Sequence, residues 1–392
     1  MYVKKIELQN FRNYEALEVI FDPRVNVFYG ENAQGKTNLL ESIYITSMGK
    51  SFRTNKDRDM IRFGSDFFRI KITTAVERGV HMLDRLINAS NPDFDKDKKE
   101  ESENIVELAV NQMGKKGIKI NGLKIDKLAD LFNLIYIVIF SPEDLKIVKD
   151  EPEKRRKFVD RELCQIKPLY LSILDNYKRT LMQRNMYLKG QNINEAVLDV
   201  WDRKLSEYGG KIISYRNTFV KKLDLISNSI HSEITAGKEN LRVFYESNIP
   251  VSGSSEDIEM DFYQELKSSR QRDLKNRTTS RGPHKDDLRL QSGGMDIRKF
   301  GSQGQQRTAA LSLKLSEIKL IKEETGEYPA LLLDDVLSEL DKSRQQYLIE
   351  SLEHVQIFIT TTELSKDVEQ ALKHIKYFHI KNGAVDGIVD TI

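Results

Sequence analysis

Gly30-Glu31-Asn32-Ala33-Gln34-Gly35-Lys36-Thr37 fits the pattern G-x-x-x-x-G-K-[ST], and this stretch decides the fold class. Glycines in such a loop let successive backbone N–H groups curl around phosphate oxygens. The lysine neutralises the β and γ oxygens, and the Thr37 hydroxyl would ligate Mg²⁺. Ahead of it, Val25-Asn26-Val27-Phe28-Tyr29 reads as a buried strand after an Asp22-Pro23 break; behind it, Lys36 to about Thr46 reads as a helix. A helix start adds its dipole to an anion site. Gly30, Glu31, Asn32, Ala33, Gln34, Gly35, Lys36 and Thr37 are therefore expected to hold a nucleoside triphosphate.

Farther along, Ala330-Leu331-Leu332-Leu333-Asp334-Asp335 is an apolar run ending in two carboxylates. That is the form of a parallel strand buried on both faces that delivers acids at its C-terminal edge. Asp334 would hold Mg²⁺ directly or through water, and Asp335 could polarise an attacking water, with Lys36 as the other catalytic candidate. Viewed alone, the run also reads as an acidic cap. Ser338-Glu339-Leu340-Asp341 follows closely, and the strand Gln356 to Ile359 ends in Thr360-Thr361-Thr362-Glu363.

Ser302-Gln303-Gly304-Gln305-Gln306-Arg307 precedes a helix with apolar positions Ala310, Leu313, Leu315, Ile318 and Leu320. By itself this is a serine cap followed by a glycine. Beside a phosphate loop it reads as a second anion site, with Ser302, Gly304 and Gln305 as nucleotide contacts. Two such sites in one chain suggest a dimer in which each γ-phosphate is gripped by the loop of one copy and Ser302 of the other.

Outward from these motifs, strand patterns are expected at Phe67 to Val76, Ile105 to Gln112, Ile118 to Ile120 and Ile135 to Phe140, with Asn121-Gly122 as a turn. The charged stretch Ser90 to Asn104 reads as an exposed loop. After Pro152 the pattern becomes helical. Leu169, Ile173, Tyr177, Leu181 and Leu188 share a face, and Leu198, Trp201, Leu205, Tyr208, Ile212, Tyr215 and Phe219 form a coiled-coil-like seam. Gly209-Gly210 inside that seam predicts a break or a clamp. Residues 1–150 and 281–392 are thus expected to form a split α/β head, the first part carrying the phosphate loop and the second the serine segment and carboxylate strand. Residues 151–280 are expected to form a short helical arm.

Composition sets the remaining bounds. The 392 residues carry 62 basic and 60 acidic side chains, so no global field announces a polyanionic partner. Cys164 is the one cysteine, expected on a half-buried helix, and it excludes an intrachain disulfide and a multi-cysteine zinc site. Apolar runs fall far short of the roughly 20 residues a membrane helix needs. The start Met1-Tyr2-Val3-Lys4-Lys5-Ile6 runs directly into a strand pattern without a charged-then-apolar leader, so no membrane partner and a cytoplasmic location are expected.

The ordered set of phosphate loop, serine segment, carboxylate strand and S-x-L-D loop resembles the ABC-type heads of SMC-like repair ATPases. Within them it resembles the RecF family. The matching segments are Leu8-Gln9-Asn10-Phe11-Arg12-Asn13-Tyr14, Gly30 to Leu40, Lys50-Ser51-Phe52-Arg53-Thr54, Asn121-Gly122, Phe140-Ser141-Pro142-Glu143-Asp144-Leu145, Arg155-Arg156-Lys157-Phe158-Val159-Asp160, Arg281-Gly282-Pro283-His284-Lys285-Asp286-Asp287 and Phe300 to Arg307. The resemblance implies ATP and Mg²⁺ as cofactors, an ATP-dependent homodimer, slow hydrolysis, and binding of DNA near single-strand gaps, acting with RecR and RecO to help load RecA. It places Arg12 and Asn13 near the nucleotide and Glu143 where related heads carry a γ-phosphate-sensing glutamine. Asp335 in place of the usual glutamate, and threonines around Thr361 in place of the usual histidine, suit a clamp better than a motor.

An energy-coupling transporter ATPase shares the loop and serine but should lack the helical arm. An SMC-like or zinc-hook tether would need a far longer coiled coil or a C-x-x-C hook. For DNA, the sequence offers two basic clusters: Lys154, Arg155, Arg156 and Lys157, and Lys267, Arg270, Arg272, Lys275, Arg277 and Arg281. Charge runs are usually solvated faces, and each cluster reads so; where DNA binds, duplex backbone contact is the expected mode.

Overall fold

Alternating burial shapes the first strands of the computed structural model, which describes residues 1–79, 99–132, 134–144, 147–372 and 374–390. In β1 (Tyr2–Phe11) the side chains of Val3, Ile6, Leu8 and Phe11 are buried, and β2 (Tyr14–Ile20) returns antiparallel beside it. β3 (Val25–Tyr29) leads to α1 (Lys36–Met48), a helix buried almost all round. β4 (Phe67–Gly79), β5 (Lys99–Asn111), β6 (Lys116–Ile120) and β7 (Leu123–Lys124) complete an antiparallel sheet in the order β2-β1-β4-β5-β6-β7. Asn121 and Gly122 both take positive φ, 48° and 82°, in the tight turn between β6 and β7. The loop expected over Ser90 to Asn104 is corrected in part: from Lys99 onward the chain is strand β5, and residues 90–98 lie outside the described residues. Pairing explains this, since Gly79 to Thr74 of β4 register against Lys99 to Asn104 and override the local polarity. β8 (Ile137–Phe140) is fully buried.

Contacts divide the chain into two units, residues 1–142 with 326–392 and residues 143–325. Residues 281–325, grouped by sequence with the C-terminal part of the head, cluster in the second unit. That unit is mainly helical. α2 (Pro152–Ile166) and α3 (Pro168–Tyr187) each begin with proline, whose missing N–H costs nothing at a first helical position. Cys164 is buried on α2.

α4 (Glu195–Ile234) runs unbroken for 40 residues, about 60 Å at 1.5 Å per residue. Gly209-Gly210 does not break it. A Cβ on Gly209 would sit 2.3 Å from Phe262 Cε1, and one on Gly210 would sit 2.9 Å from Glu259 Cα. The glycines therefore clamp α4 against α5 (Ser255–Asn276), which starts with a Ser254/Asp257 capping box. The seam residues Leu198, Leu205, Ile212 and Phe219 are buried, whereas Leu169 on α3 is 64% exposed and leaves its expected face. Arg184 of α3, fully buried, bridges Asp202 of α4 and Asp273 of α5 at 2.7 and 2.8 Å. The helices of this unit thus pack into one body. β9 (Arg242–Glu246), β10 (Asp287–Ser292) and β11 (Met295–Asp296) form its small sheet, followed by α6 (Ile297–Phe300) and α7 (Gln303–Thr325).

The two arginines of the first basic cluster belong to this packing. Arg155 is 1% exposed, paired to Asp287 at 2.6 Å, and Arg156 donates to the Asp286 carbonyl. Lys154 pairs with Glu143 and Asp150, and Lys157 with Glu153. In the second cluster Arg270 pairs with Asp199 and Asp202, and Arg281 with Glu265. Lys267, Arg272, Lys275 and Arg277 are exposed.

The chain then re-enters the first unit through β12 (Ala330–Asp334), α8 (Lys342–Glu350), β13 (Ile357–Thr361), α9 (Lys366–Ala371), β14 (Ile375–Lys381) and β15 (Ala384–Asp390). They join β3 and β8 in the order β15-β14-β3-β13-β12-β8. All neighbours pair parallel except the terminal β14–β15 hairpin. Phe21, Phe28, Phe358 and Phe378 pack ring to ring on this sheet, with centroids 5.0 to 6.2 Å apart. Carboxyl ends of β3, β12 and β13 therefore lie side by side, and the loops that leave them carry the chemistry.

Candidate nucleotide site

The loop from β3 to α1 bends through positive φ at Gly30, Ala33 and Gly35 (140°, 64° and 118°). A Cβ on Gly35 would lie 2.6 Å from the Asn13 carboxamide nitrogen, so only glycine fits there. Lys36 Nζ donates to the carbonyls of Gly30 and Glu31 at 2.6 and 2.7 Å, curling over its own loop. Burial lowers the Lys36 pKa, against the opposing pull of Asp335 and Asp334.

Adjacent strands bring the acids to this loop. Thr37 Oγ1 and Thr360 Oγ1 both donate to Asp334 Oδ1, at 2.7 and 2.8 Å. Asp335 takes a left-handed conformation, φ 52°, with its N–H held by Thr360 Oγ1 and O at 3.0 and 3.2 Å. Burial, then Asp334 and Glu339, push the Asp335 carboxyl up from its ordinary value, while Lys36 pulls it down. Thr361 Oγ1 donates to the Glu363 carbonyl, and Asp341 caps α8 by accepting from Arg344 N at 3.0 Å. Among the described residues no group of three or more His, Cys, Asp or Glu is placed to hold a metal ion. Thr37 and Asp334 instead supply one hydroxyl and one carboxylate oxygen, a hard donor pair suited to Mg²⁺ completed by phosphate and water.

Arg12 and Asn13 form the turn between β1 and β2; Asn13 reaches the same loop, and Arg12 turns to α1. Asn13 Nδ2 donates to the Gln34 carbonyl at 2.8 Å, and its Oδ1 accepts from Asn38 Nδ2 at 2.8 Å. Arg12, at φ 55°, makes a two-pronged pair with Glu41 at 2.8 and 2.7 Å. Glu41 is fully buried on α1 and also receives the Ser51 hydroxyl, with Arg53 3.6 Å away. Sequence reading missed Glu41 and the turn Asn382-Gly383, whose N–H groups donate to Gln34 Oε1 and O at 2.8 and 3.0 Å.

The serine segment lies in the second unit, at the start of α7. Ser302 and Gln305 bond reciprocally: Gln305 N donates to Ser302 Oγ at 3.2 Å, and Ser302 N donates to Gln305 Oε1 at 2.9 Å. Gly304 follows within the first turn, its carbonyl accepting from Thr308 Oγ1 at 2.8 Å. Glu143, also of this unit, lies 3.5 Å from Lys154.

A family model described as the RecF/RecN/SMC N-terminal domain matches residues 2–386. The DNA replication and repair protein RecF of Agathobacter rectalis is 44% identical over 391 residues, covering 99% of both chains. The chain belongs to the RecF family. Its counterpart from Clostridioides difficile is 43% identical over 390 residues, covering 99% of both. Solved structures of the recombination mediator protein RecF-ATPrS and RecF-ATP in the RecFOR pathway superpose with TM-scores of 0.85 at 37% and 36% identity. The first covers 98% of this chain and 97% of its own; the second covers 100% and 98%. An SMC head bound to the C-terminal winged-helix domain of ScpA, 15% identical with a TM-score of 0.54 over 100% of this chain and 98% of its own, shares the fold. The RecF-family chain is thus an α/β ABC-type ATPase head interrupted by a helical segment. Among its described residues no helix is long and apolar enough to cross a membrane.

Proposed function

We propose that this RecF-family chain is an ATP-gated DNA-binding protein of recombinational repair, acting in the cytoplasm. Residues Gly30 to Thr37 bind the phosphates of ATP, with Arg12 and Asn13 bordering the nucleotide. Lys36 neutralises phosphate charge, and Thr37 and Asp334 hold Mg²⁺, whose charge would offset that of the β and γ oxygens. Asp335 orients the hydrolytic water, and its side chain, one methylene shorter than a glutamate, suits slow turnover. A second copy contributes Ser302, Gly304 and Gln305, so ATP binding drives homodimerisation and hydrolysis releases it. In this reading residues 1–150 and 281–392 act as the head and 151–280 as the arm.

The observation that carries this reading is the Thr37–Asp334–Thr360 cluster at the mouth of a glycine-bent phosphate loop, in a chain similar along its length to RecF bound to ATP. The dimer binds duplex DNA near single-strand gaps, with exposed Lys267, Arg272, Lys275 and Arg277 as candidate phosphate contacts. RecR and RecO join it to assist RecA loading. The test is DNA affinity at two salt concentrations, with and without Mg-ATP. Affinity should rise with Mg-ATP for the wild type, stay flat for Lys36→Ala, and fall steeply with salt. An ATP-independent affinity in the wild type would overturn the gating.

A further inference from the structure

We infer that Glu239 is a positioning residue that presents the Ser302 segment to nucleotide carried by a second copy; this rests on the shared-site reading above. Gln305 is the link. Its Oε1 accepts from Ser302 N at 2.9 Å, while its Nε2 donates to Glu239 Oε1 at 3.1 Å. A carboxylate can only accept, so Glu239 permits one of the two carboxamide orientations, the one that points Oε1 at Ser302. Gln305 N in turn donates to Ser302 Oγ at 3.2 Å, so backbone and hydroxyl of the serine are both set by this glutamine.

Glu239 is itself anchored to the end of α4. Its N–H donates to Thr235 Oγ1 at 3.3 Å, and that hydroxyl donates to the His231 carbonyl at 2.8 Å. Its second carboxylate oxygen lies 3.5 Å from Nε2 of the fully buried His231, whose Nδ1 lies 3.0 Å from Ser312 Oγ on α7. The C-terminal end of the 40-residue helix and the body of α7 therefore converge on one carboxylate one side chain removed from Ser302. A negative charge so near a segment that receives phosphate opposes binding by simple Coulomb repulsion. Its place in the bonding chain is what orienting the serine requires, and it ties that orientation to the position of α4.

The test uses the full chain as wild type, Glu239→Ala, Glu239→Asp, Glu239→Gln and Ser302→Ala. Light scattering gives the ATP concentration needed to double the mass, and a fluorescent ATP analogue gives binding to the single chain. Loss of a hydrogen bond to a charged group predicts an ATP requirement raised about tenfold or more in Glu239→Ala and in Glu239→Asp, whose shortened carboxylate no longer reaches. Analogue binding should stay within about twofold, because the single chain binds without Ser302 of a partner. Glu239→Gln keeps an accepting oxygen, but its amide can also donate to a flipped Gln305, so its ATP requirement should fall between those of the wild type and Glu239→Ala. Wild-type association by Glu239→Ala or Glu239→Asp, with Ser302→Ala impaired, overturns the role of Glu239 alone. Wild-type association by Ser302→Ala, or no mass change in the wild type, overturns the shared site itself.

Discussion

Thr37 Oγ1 donates a hydrogen bond to Asp334 Oδ1 across 2.7 Å, joining the phosphate loop to the carboxylate strand although 297 positions separate them in the chain. β13 lies between β3 and β12, and it adds Thr360 to the same carboxylate oxygen. Replacing Asp334 by Asn, or Thr37 by Val, should weaken Mg²⁺-dependent ATP binding by about 10- to 100-fold, the scale on which metal sites respond to lost oxygen partners. Titration calorimetry with ATP in Mg²⁺ and in EDTA checks this. The effect should vanish in EDTA.

A second prediction concerns Arg12 and Glu41. Glu41 is fully buried, and the Arg12 guanidinium supplies two of its hydrogen bonds. Arg12→Ala would leave the buried carboxylate only the Ser51 hydroxyl and Arg53, 3.6 Å away, a loss of up to about 3–5 kcal/mol for the first unit, whereas Arg12→Met with Glu41→Leu should cost far less. Differential scanning calorimetry of the two variants distinguishes them by the size of the drop in Tm.

That pair also shows where the sequence was legible. The phosphate loop, the carboxylate strand and the serine segment are contiguous, so each carried its chemistry within a few residues. Glu41 holds Arg12 and the Asn382-Gly383 turn holds Gln34 through contacts distant in sequence, and nothing local marked either as a partner. Charge runs misled for the same reason. Arg155 and Arg270 look like surface cations until Asp287, Asp199 and Asp202 arrive from distant elements. Of the two outcomes expected at Gly209-Gly210, a break or a clamp, the clamp holds, because helix packing sets the conformation there.

Gly209→Ala gives the third prediction. Alanine favours helix by about 1 kcal/mol, yet its methyl would meet Phe262 Cε1 at 2.3 Å. Overpacking of about 1–3 kcal/mol should outweigh the gain and destabilise the helical unit. Trp201, the one tryptophan of the chain, lies on α4, and its fluorescence in urea reports the change. A variant more stable than the wild type would contradict the clamp.

His284 supplies a pH dependence. Thr279 O can only accept, so His284 Nε2 carries the proton, and Nδ1 then accepts from Tyr177 OH at 2.7 Å. Burial lowers its pKa to about 4. A depressed histidine contributes stability that is complete above its unfolded value near 6.5 and is lost as pH falls toward the folded value. Urea melts followed at Trp201 should show a loss of up to about 3 kcal/mol from this group between pH 6.5 and 4, absent in His284→Gln. Equal pH dependence in both chains would contradict the assignment.

The central claim is that a second copy completes the nucleotide site, and molar mass by light scattering with and without Mg-ATP tests it most directly. Wild-type mass should double with Mg-ATP, while Lys36→Ala, lacking phosphate neutralisation, and Ser302→Ala, lacking the partner's grip, should stay single. If all three remain single under every condition, or if all three double, the shared site is contradicted.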